Sequence, residues 1–165
     1  MIADDIQARL RRQGWTPSRR VETTDWLAAL RQAGVTVLPK AEEILANFGG
    51  LRIVPKRSSS DAYCPGNVVF DLNAEVIGEC DLILGWQRKL GMTLTPIGFI
   101  EPEWTWLVIA GSGHVLGING TVLIEYGRYF EEALATTLLF AKEDPFVRVA
   151  DHESGDLEPP WDPTV

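Results

Sequence analysis

The sequence predicts an α+β domain, in which an antiparallel β-meander has N-terminal helices and a C-terminal helix packed on one face. Three observations lead to this fold class. Apolar residues recur at helical spacing over the first fifty residues, the segment from Leu94 to Tyr126 changes to β-branched and aromatic residues with a period near two, and helical spacing returns after Tyr129. Because helices and strands are segregated along the chain, we expect the other sheet face to be at least partly open.

Two amphipathic helices are expected first. Ile6 and Leu10 lie one turn apart on the first helix, and Gly14 is placed to end it. The second helix takes Thr24 as its N-cap residue, because a threonine hydroxyl can accept a hydrogen bond from a free backbone N–H group. Gly34 marks the end of this second helix.

A third helix leads into the first strands. Pro39 suits the first turn of a helix, and the pair Gly49 and Gly50 is expected to cap its end with positive φ angles. Strands are then predicted at 51–54 and 68–70, separated by a surface loop rich in Ser, Pro and Gly. A helix from 73 to 90 follows, and its two internal glycines predict that it is bent or split.

The meander comprises four predicted strands joined by short turns, and a closing helix follows it. The strands span 97–100, 104–109, 114–118 and 122–126, and the helix begins near Tyr129 and ends before Pro145. A chain of 165 residues is within the usual size of one domain. We therefore predict a single domain over residues 1–145 and an acidic, proline-containing tail over residues 146–165.

The chain is acidic, with a formal net charge of −8 and a pI near 4.7. Five arginines lie within the first twenty residues, whereas acidic residues crowd the end of the chain. Binding to phosphate backbones needs a basic footprint, so nucleic acid is not expected as a direct ligand. A basic protein partner fits the charge better, while solubility alone is the alternative explanation of an acidic surface.

Nothing in the sequence predicts a targeting signal or a membrane span. The acidic N-terminus is soon followed by arginines, and no apolar stretch approaches the ~20 residues that cross a bilayer. Cys64 and Cys80 are too few for a disulfide framework and lack the spacing of zinc ligands, so both are expected to be reduced thiols. We expect a cytoplasmic protein without membrane contact.

Catalytic arrangements of residues are missing or weak. His114 and His152 lack a serine or cysteine at the spacing typical of hydrolases. The stretch 111–113 precedes a strand rather than a helix, which predicts a hairpin turn instead of a phosphate loop. Glu101 and Glu103 flank a turn proline, where exposure leaves both carboxylates ionised. We therefore expect no catalytic residue, no cofactor and no metal.

The tryptophans are candidates for either packing or binding. Trp104 and Trp106 are two apart in a predicted strand and should lie on the same sheet face. Such a pair can pack in a core or anchor an interface, and the core is favoured for both. Trp15 and Trp26 are also expected in the core.

The order of landmarks between Ile6 and Lys142 resembles one protein family. The segment Gly14-Trp15-Thr16-Pro17-Ser18-Arg19 precedes Phe48-Gly49-Gly50-Leu51, which precedes Leu90-Gly91 and Leu94-Thr95-Pro96-Ile97-Gly98. In this order the chain resembles the SUKH superfamily of immunity proteins, and most closely its third group. Structural roles are expected for the signature residues Gly14, Trp15, Phe48, Gly49, Gly50, Leu51, Pro96 and Gly98.

The resemblance implies a domain without catalytic residues, encoded beside a toxin such as a nuclease or deaminase and neutralising that toxin by direct binding. The expected partner is therefore a cognate toxin of basic character. Our hypothesis for the contact surface is the open rim of the sheet, with the residues Asp61, Tyr63, Glu101, Glu103, Trp104 and Glu125. The alternatives are an intracellular adapter that recruits a cellular protein, and a small hydrolase.

Overall fold

The computed structural model describes residues 2–56, 66–102, 104–139 and 146–149, with residues 74–75 and 146–149 described by their backbone only. Within these ranges the helices are α1 (Asp4–Arg11), α2 (Thr24–Gln32), α3 (Pro39–Phe48), α4 (Ala74–Gly78), α5 (Cys80–Leu90) and α6 (Phe130–Leu139). The strands are β1 (Arg52–Ile53), β2 (Val68–Val69), β3 (Leu94–Ile100), β4 (Thr105–Ala110), β5 (Val115–Asn119), β6 (Val122–Gly127) and β7 (Phe146–Val149).

The strands form one antiparallel sheet in which the spatial order follows the chain order from β1 to β7. The predicted α+β class and antiparallel meander are therefore confirmed. The strand β7 was not predicted: it pairs with β6 from Val122 opposite Val149 to Glu125 opposite Phe146. These residues fall in the predicted acidic tail, and a run of four residues is too short for its apolar pattern to predict a strand. The domain boundary at residue 145 stays a prediction.

One face of the sheet, called here the α6 face, carries α1, α3 and the C-terminal helix α6, whereas the N-terminal helix α2 packs on the opposite face. Leu107 and Ile109 of β4 point to this face and pack against apolar side chains of α1, α3 and α6. Phe48 at the end of α3 contacts the ring of Phe130 at the start of α6, with 5.0 Å between centroids. Helices from both ends of the chain therefore share one core.

The opposite face, called here the α5 face, is also covered, so the expectation of a partly open second face is wrong. Trp106 and Val108 of β4 point to this face and pack in a cluster with Leu30 of α2 and with Ile83 and Trp86 of α5. Every residue of β4 is buried, since alternate side chains enter the two clusters. A strand that is apolar on both sides is suited to a sheet with helices on both faces.

The helix boundaries agree with the sequence in most places and differ at the start of α2. Gly14 and Gly34 have φ angles of +92° and +85° after α1 and α2, as expected for helix ends. The predicted helix over 73–90 is split at Glu79, in agreement with the prediction. The N-cap prediction at Thr24 is wrong: α2 starts there, and the Glu22 carboxylate accepts hydrogen bonds from the backbone N–H groups of Thr23 and Thr24.

The two glycines after α3 have different physical roles. Gly50 has a φ of +76°, as predicted for a cap. Gly49 has a φ of −50°, so the expectation of a positive angle is wrong for this residue. A Cβ atom at Gly49 would instead overlap the Leu45 carbonyl oxygen and the Trp26 ring. Glycine is therefore required at position 49 by close packing and not by a positive φ angle.

Candidate functional site

One end of the sheet, called here the turn end, carries both the β3–β4 turn and the β5–β6 turn. Ile100 pairs with Thr105 next to the first turn, and Asn119 pairs with Val122 next to the second. Glu101 and Trp104, two residues of the predicted contact set, lie in the first of these turns. The turn end is therefore where the structure brings predicted contact residues together.

Trp104 is an exposed aromatic residue whose ring packs against two other aromatic rings. Its side chain stacks on Phe99, with 4.7 Å between ring centroids and an interplanar angle of 20°, and it touches Trp106 at 5.8 Å. Trp106 is 6 % exposed, but Trp104 is 41 % exposed. The core prediction is thus confirmed for Trp106 and wrong for Trp104. The physical reason is that β4 begins at Thr105, so Trp104 belongs to the turn rather than to the strand.

The backbone of Trp104 is also unusual, with a φ of +49°. Bulky residues other than glycine rarely adopt the left-handed region, and each such residue costs on the order of 1–3 kcal/mol. Residues of this kind concentrate at functional sites, where a surrounding structure holds them in place. A large, exposed ring on a strained backbone makes Trp104 the strongest candidate for a contact residue at the turn end.

The Glu101 carboxylate forms hydrogen bonds with other residues of the chain. Its Oε2 atom accepts hydrogen bonds from Nε of Arg52 at 2.8 Å and from Nδ2 of Asn67 at 3.1 Å. These bonds, first from Arg52 and then from Asn67, lower the pKa of the Glu101 carboxyl below its ordinary value. Glu101 therefore connects the β3–β4 turn to β1 and positions the turn that carries Trp104.

Replacing Arg52 by methionine is expected to raise the pKa of Glu101 toward its ordinary value. The hydrogen bond from Arg52 is the largest cause of the lowered pKa, and this variant removes it. A carboxyl whose pKa is lowered by folding stabilises the fold above its unfolded pKa, and this contribution disappears as the pH falls through the folded pKa. Titration of the Glu101 carboxyl carbon by NMR measures the change. Lys40→Met removes the exposed ion pair between Lys40 and Glu43 and is the control that should leave Glu101 unaffected. An unchanged Glu101 pKa in the Arg52 variant would contradict the pairing.

Of the remaining members of the predicted contact set, Glu125 is the one that the structure describes, and it lies apart from Glu101 and Trp104. Asp61, Tyr63 and Glu103 lie outside the described residues. Glu125 is partly exposed on β6, where it pairs with Leu116 of β5. Leu116 in turn pairs with Val108, which places Glu125 two strands from β4 and well back from the turn end.

A serine and a histidine meet in the β4–β5 turn. Ser112 Oγ lies 2.9 Å from His114 Nδ1, and His114 is buried. This pair was not predicted. The Ala110 N–H group donates to the His114 carbonyl oxygen at 2.8 Å across the same turn, so the side-chain contact belongs to a closed hairpin. A hydrolase would further need a third group that orients the base and donors that stabilise an oxyanion. The contact alone is that of a structured turn.

Within the part of the chain that the structure describes, no group of three or more His, Cys, Asp or Glu residues is placed to hold a metal ion. Cys80 is a buried free thiol, and desolvation followed by the nearby Asp81 charge raises its pKa. None of the helices among the described residues has the length and apolar character needed to cross a membrane. Cys64 lies outside the described residues.

Comparison with known proteins decides the family. A model of the SUKH-3 immunity protein family matches residues 2–139. The chain belongs to the SUKH-3 immunity protein family. The resemblance to the third SUKH group is thereby confirmed, and an immunity function is indicated for this SUKH-3 protein. No curated protein and no solved structure gives a significant match.

The signature residues of this SUKH-3 protein that the structure describes serve packing and backbone geometry. Trp15, Phe48 and Leu51 are buried in the core of the α6 face, and Trp15 stacks on Phe48 at 5.7 Å. Gly98 occupies a β-bulge in β3, with a φ of +154°. These residues build the sheet that presents the turn end.

Sequence reasoning missed the residues that support Trp104. Phe99 supplies the ring beneath Trp104, and Arg52 and Asn67 hold the turn through Glu101. Arg52 is 49 residues from Glu101 along the chain. Alternation along β3 could have placed Phe99 on the face of Trp106, but no local pattern connects Arg52 to Glu101.

Proposed function

We propose that this SUKH-3 protein neutralises a cognate toxin by direct protein–protein contact, without catalysis. The family match over residues 2–139 is the observation that carries the proposal. The proposed contact surface is the turn end, with Trp104 as its anchor and Glu101 as the residue that positions the turn. Exposed aromatic residues set on a rigid support are typical hot spots of protein interfaces.

The distribution of charge supports a basic toxin, such as a nuclease-like or deaminase-like protein. Residues 140–165 carry seven acidic and two basic side chains. In this antiparallel arrangement β7 ends at Val149 opposite Val122, so the chain that carries the last five acidic residues continues from the turn end. A negative field near the contact surface would accelerate encounter with a basic partner.

Co-expression with the protein encoded by the adjacent gene tests the proposal. We expect the full chain to rescue growth of cells that make this toxin, and the two proteins to purify as one complex. Association should slow by roughly tenfold or more between low and high salt if charge steers the encounter. Failure of both rescue and co-purification would refute the immunity function. Capture of a cellular protein without any rescue would instead favour an adapter.

A further inference from the structure

A groove that the proposed contact surface does not use lies between α5 and the β5–β6 turn. We call it the α5 groove. Its lining consists of Asp81, Leu82, Gly85, Trp86, Lys89, Gly120 and Thr121. Its volume is about 210 Å³, below the roughly 300–1,000 Å³ typical of small-molecule sites. The space suits one or two side chains better than a cofactor.

The walls of the groove are fixed by two contacts. Nε1 of Trp86 donates a hydrogen bond to the Gly120 carbonyl oxygen at 3.0 Å, which ties α5 to the turn. Nζ of Lys89 lies 5.6 Å from the centre of the Trp86 ring, within cation–π distance. The groove therefore has the edge of the largely buried Trp86 ring in its lining and a positive charge at its rim.

Two glycines line the groove, and Gly120 is also favoured by its turn conformation, with a φ of +56°. A Cβ atom at Gly85 would meet only the Arg88 guanidinium, at 3.9 Å, and one at Gly120 would meet nothing within 4 Å. Gly85 lies inside α5, where glycine is less favourable than alanine. Packing among the described residues does not require a glycine at this position. The cost to the helix is consistent with a groove that is kept clear for an occupant.

The path of the chain brings a matching segment to the groove. Val149 pairs with Val122, the residue directly after Thr121 of the groove lining. Residues 150–165 then carry five acidic side chains and no lysine or arginine. Trp161 is twelve residues beyond Val149, and an extended chain of that length reaches up to about 40 Å. The segment can therefore reach the groove from its point of exit.

We propose that the tail segment 158–163, Glu-Pro-Pro-Trp-Asp-Pro, docks in the α5 groove of its own chain. Trp161 and the flanking prolines supply the apolar and preformed extended shape that aromatic-lined grooves bind. The charges of Glu158 and Asp162 are complementary to Lys89 in the lining and to Arg88 beside Gly85, and Asp81 is the acidic group in the lining. Tethering keeps the segment at an effective concentration on the order of millimolar, so weak contacts suffice.

NMR of the full-length protein tests the docking directly. The amide signals of Gly85 and Gly120 are the reporters, because both residues line the groove. Trp161→Ala should shift both signals by removing an aromatic ring, whereas Thr164→Ala, outside the docking segment, should leave them unchanged. Unchanged signals in the Trp161 variant would overturn the proposal.

Cleavage by a Glu-specific protease gives a second measurement. A leucine side chain at position 85 would fill the groove, so Gly85→Leu should accelerate cleavage after Glu158 roughly threefold or more by displacing the segment. Gly78→Leu is the matched control, because Gly78 also has open space around a Cβ atom and lies outside the groove lining. Thermal melting verifies that both variants are folded. Equal cleavage of both variants and the natural chain would overturn the proposal.

Docking of the tail in the α5 groove does not require the toxin, so both measurements use the protein alone. If the groove signals move only when a purified partner is added, the groove belongs to that partner and the intramolecular docking is refuted.

Discussion

Replacing Gly98 by alanine is expected to lower the free energy of unfolding by about 3 kcal/mol or more. Gly98 has a φ of +154°, and a Cβ atom there would overlap the Val69 carbonyl oxygen and lie 3.1 Å from the Phe70 Cα atom. Both obstacles are backbone atoms of the segment that pairs with β3, so relief requires movement of β2. Because β1 pairs with β2, this movement would disturb the whole edge of the sheet.

Urea denaturation followed by tryptophan fluorescence measures this loss. Gly111→Ala is the matched control: Gly111 lies in the exposed β4–β5 turn, and its nearest potential clash is a carbonyl oxygen 3.9 Å away. That variant should stay within about 0.5 kcal/mol of the natural chain, as surface substitutions usually do. A loss below about 1 kcal/mol in the Gly98 variant would show that β2 can move away freely, contrary to the packing described above.

Most of the fold could be predicted from the sequence, because local sequence patterns agree with the tertiary packing. Period-two alternation with short turns predicts the meander, and Gly14 and Gly34 end their helices as expected. The covered α5 face was missed, although the sequence contains a signal for it. The run from Thr105 to Ala110 is almost continuously apolar, which is typical of a strand buried on both faces rather than one.

The candidate site was harder to predict from the sequence, because it depends on contacts between residues that are far apart in the chain. Trp104 is two residues from Trp106, which predicts a shared face and a shared burial. The two rings do contact each other, but Trp104 lies in the turn before β4 and its ring is 41 % exposed. Glu101 was predicted as a free contact residue, and its partner Arg52 comes from the other side of a long loop. Residues that are so far apart in the sequence leave no periodic pattern that would predict their contact.

Loss of the Trp104 side chain is expected to weaken toxin binding more than any other single exposed change at the turn end. If the proposed function holds, Trp104→Ala should lower the affinity by about 2 kcal/mol or more, which is roughly thirtyfold in Kd. The reason is that a 41 % exposed ring, stacked on Phe99, is already ordered before binding. Pre-ordered aromatic residues lose little entropy when an interface forms.

Titration calorimetry of the co-purified complex measures the effect, and two further variants separate contact from folding. Tyr129→Ala removes another exposed aromatic side chain, 57 % exposed and next to α6, and should leave Kd within about threefold. Trp104→Gly relieves the positive φ, so it should bind as weakly as the alanine variant while unfolding no more easily than that variant. Weak binding that is not explained by loss of stability would identify the ring itself as the contact. Natural affinity in both Trp104 variants would place the toxin on another surface, because the stacked ring would then contribute nothing to the complex.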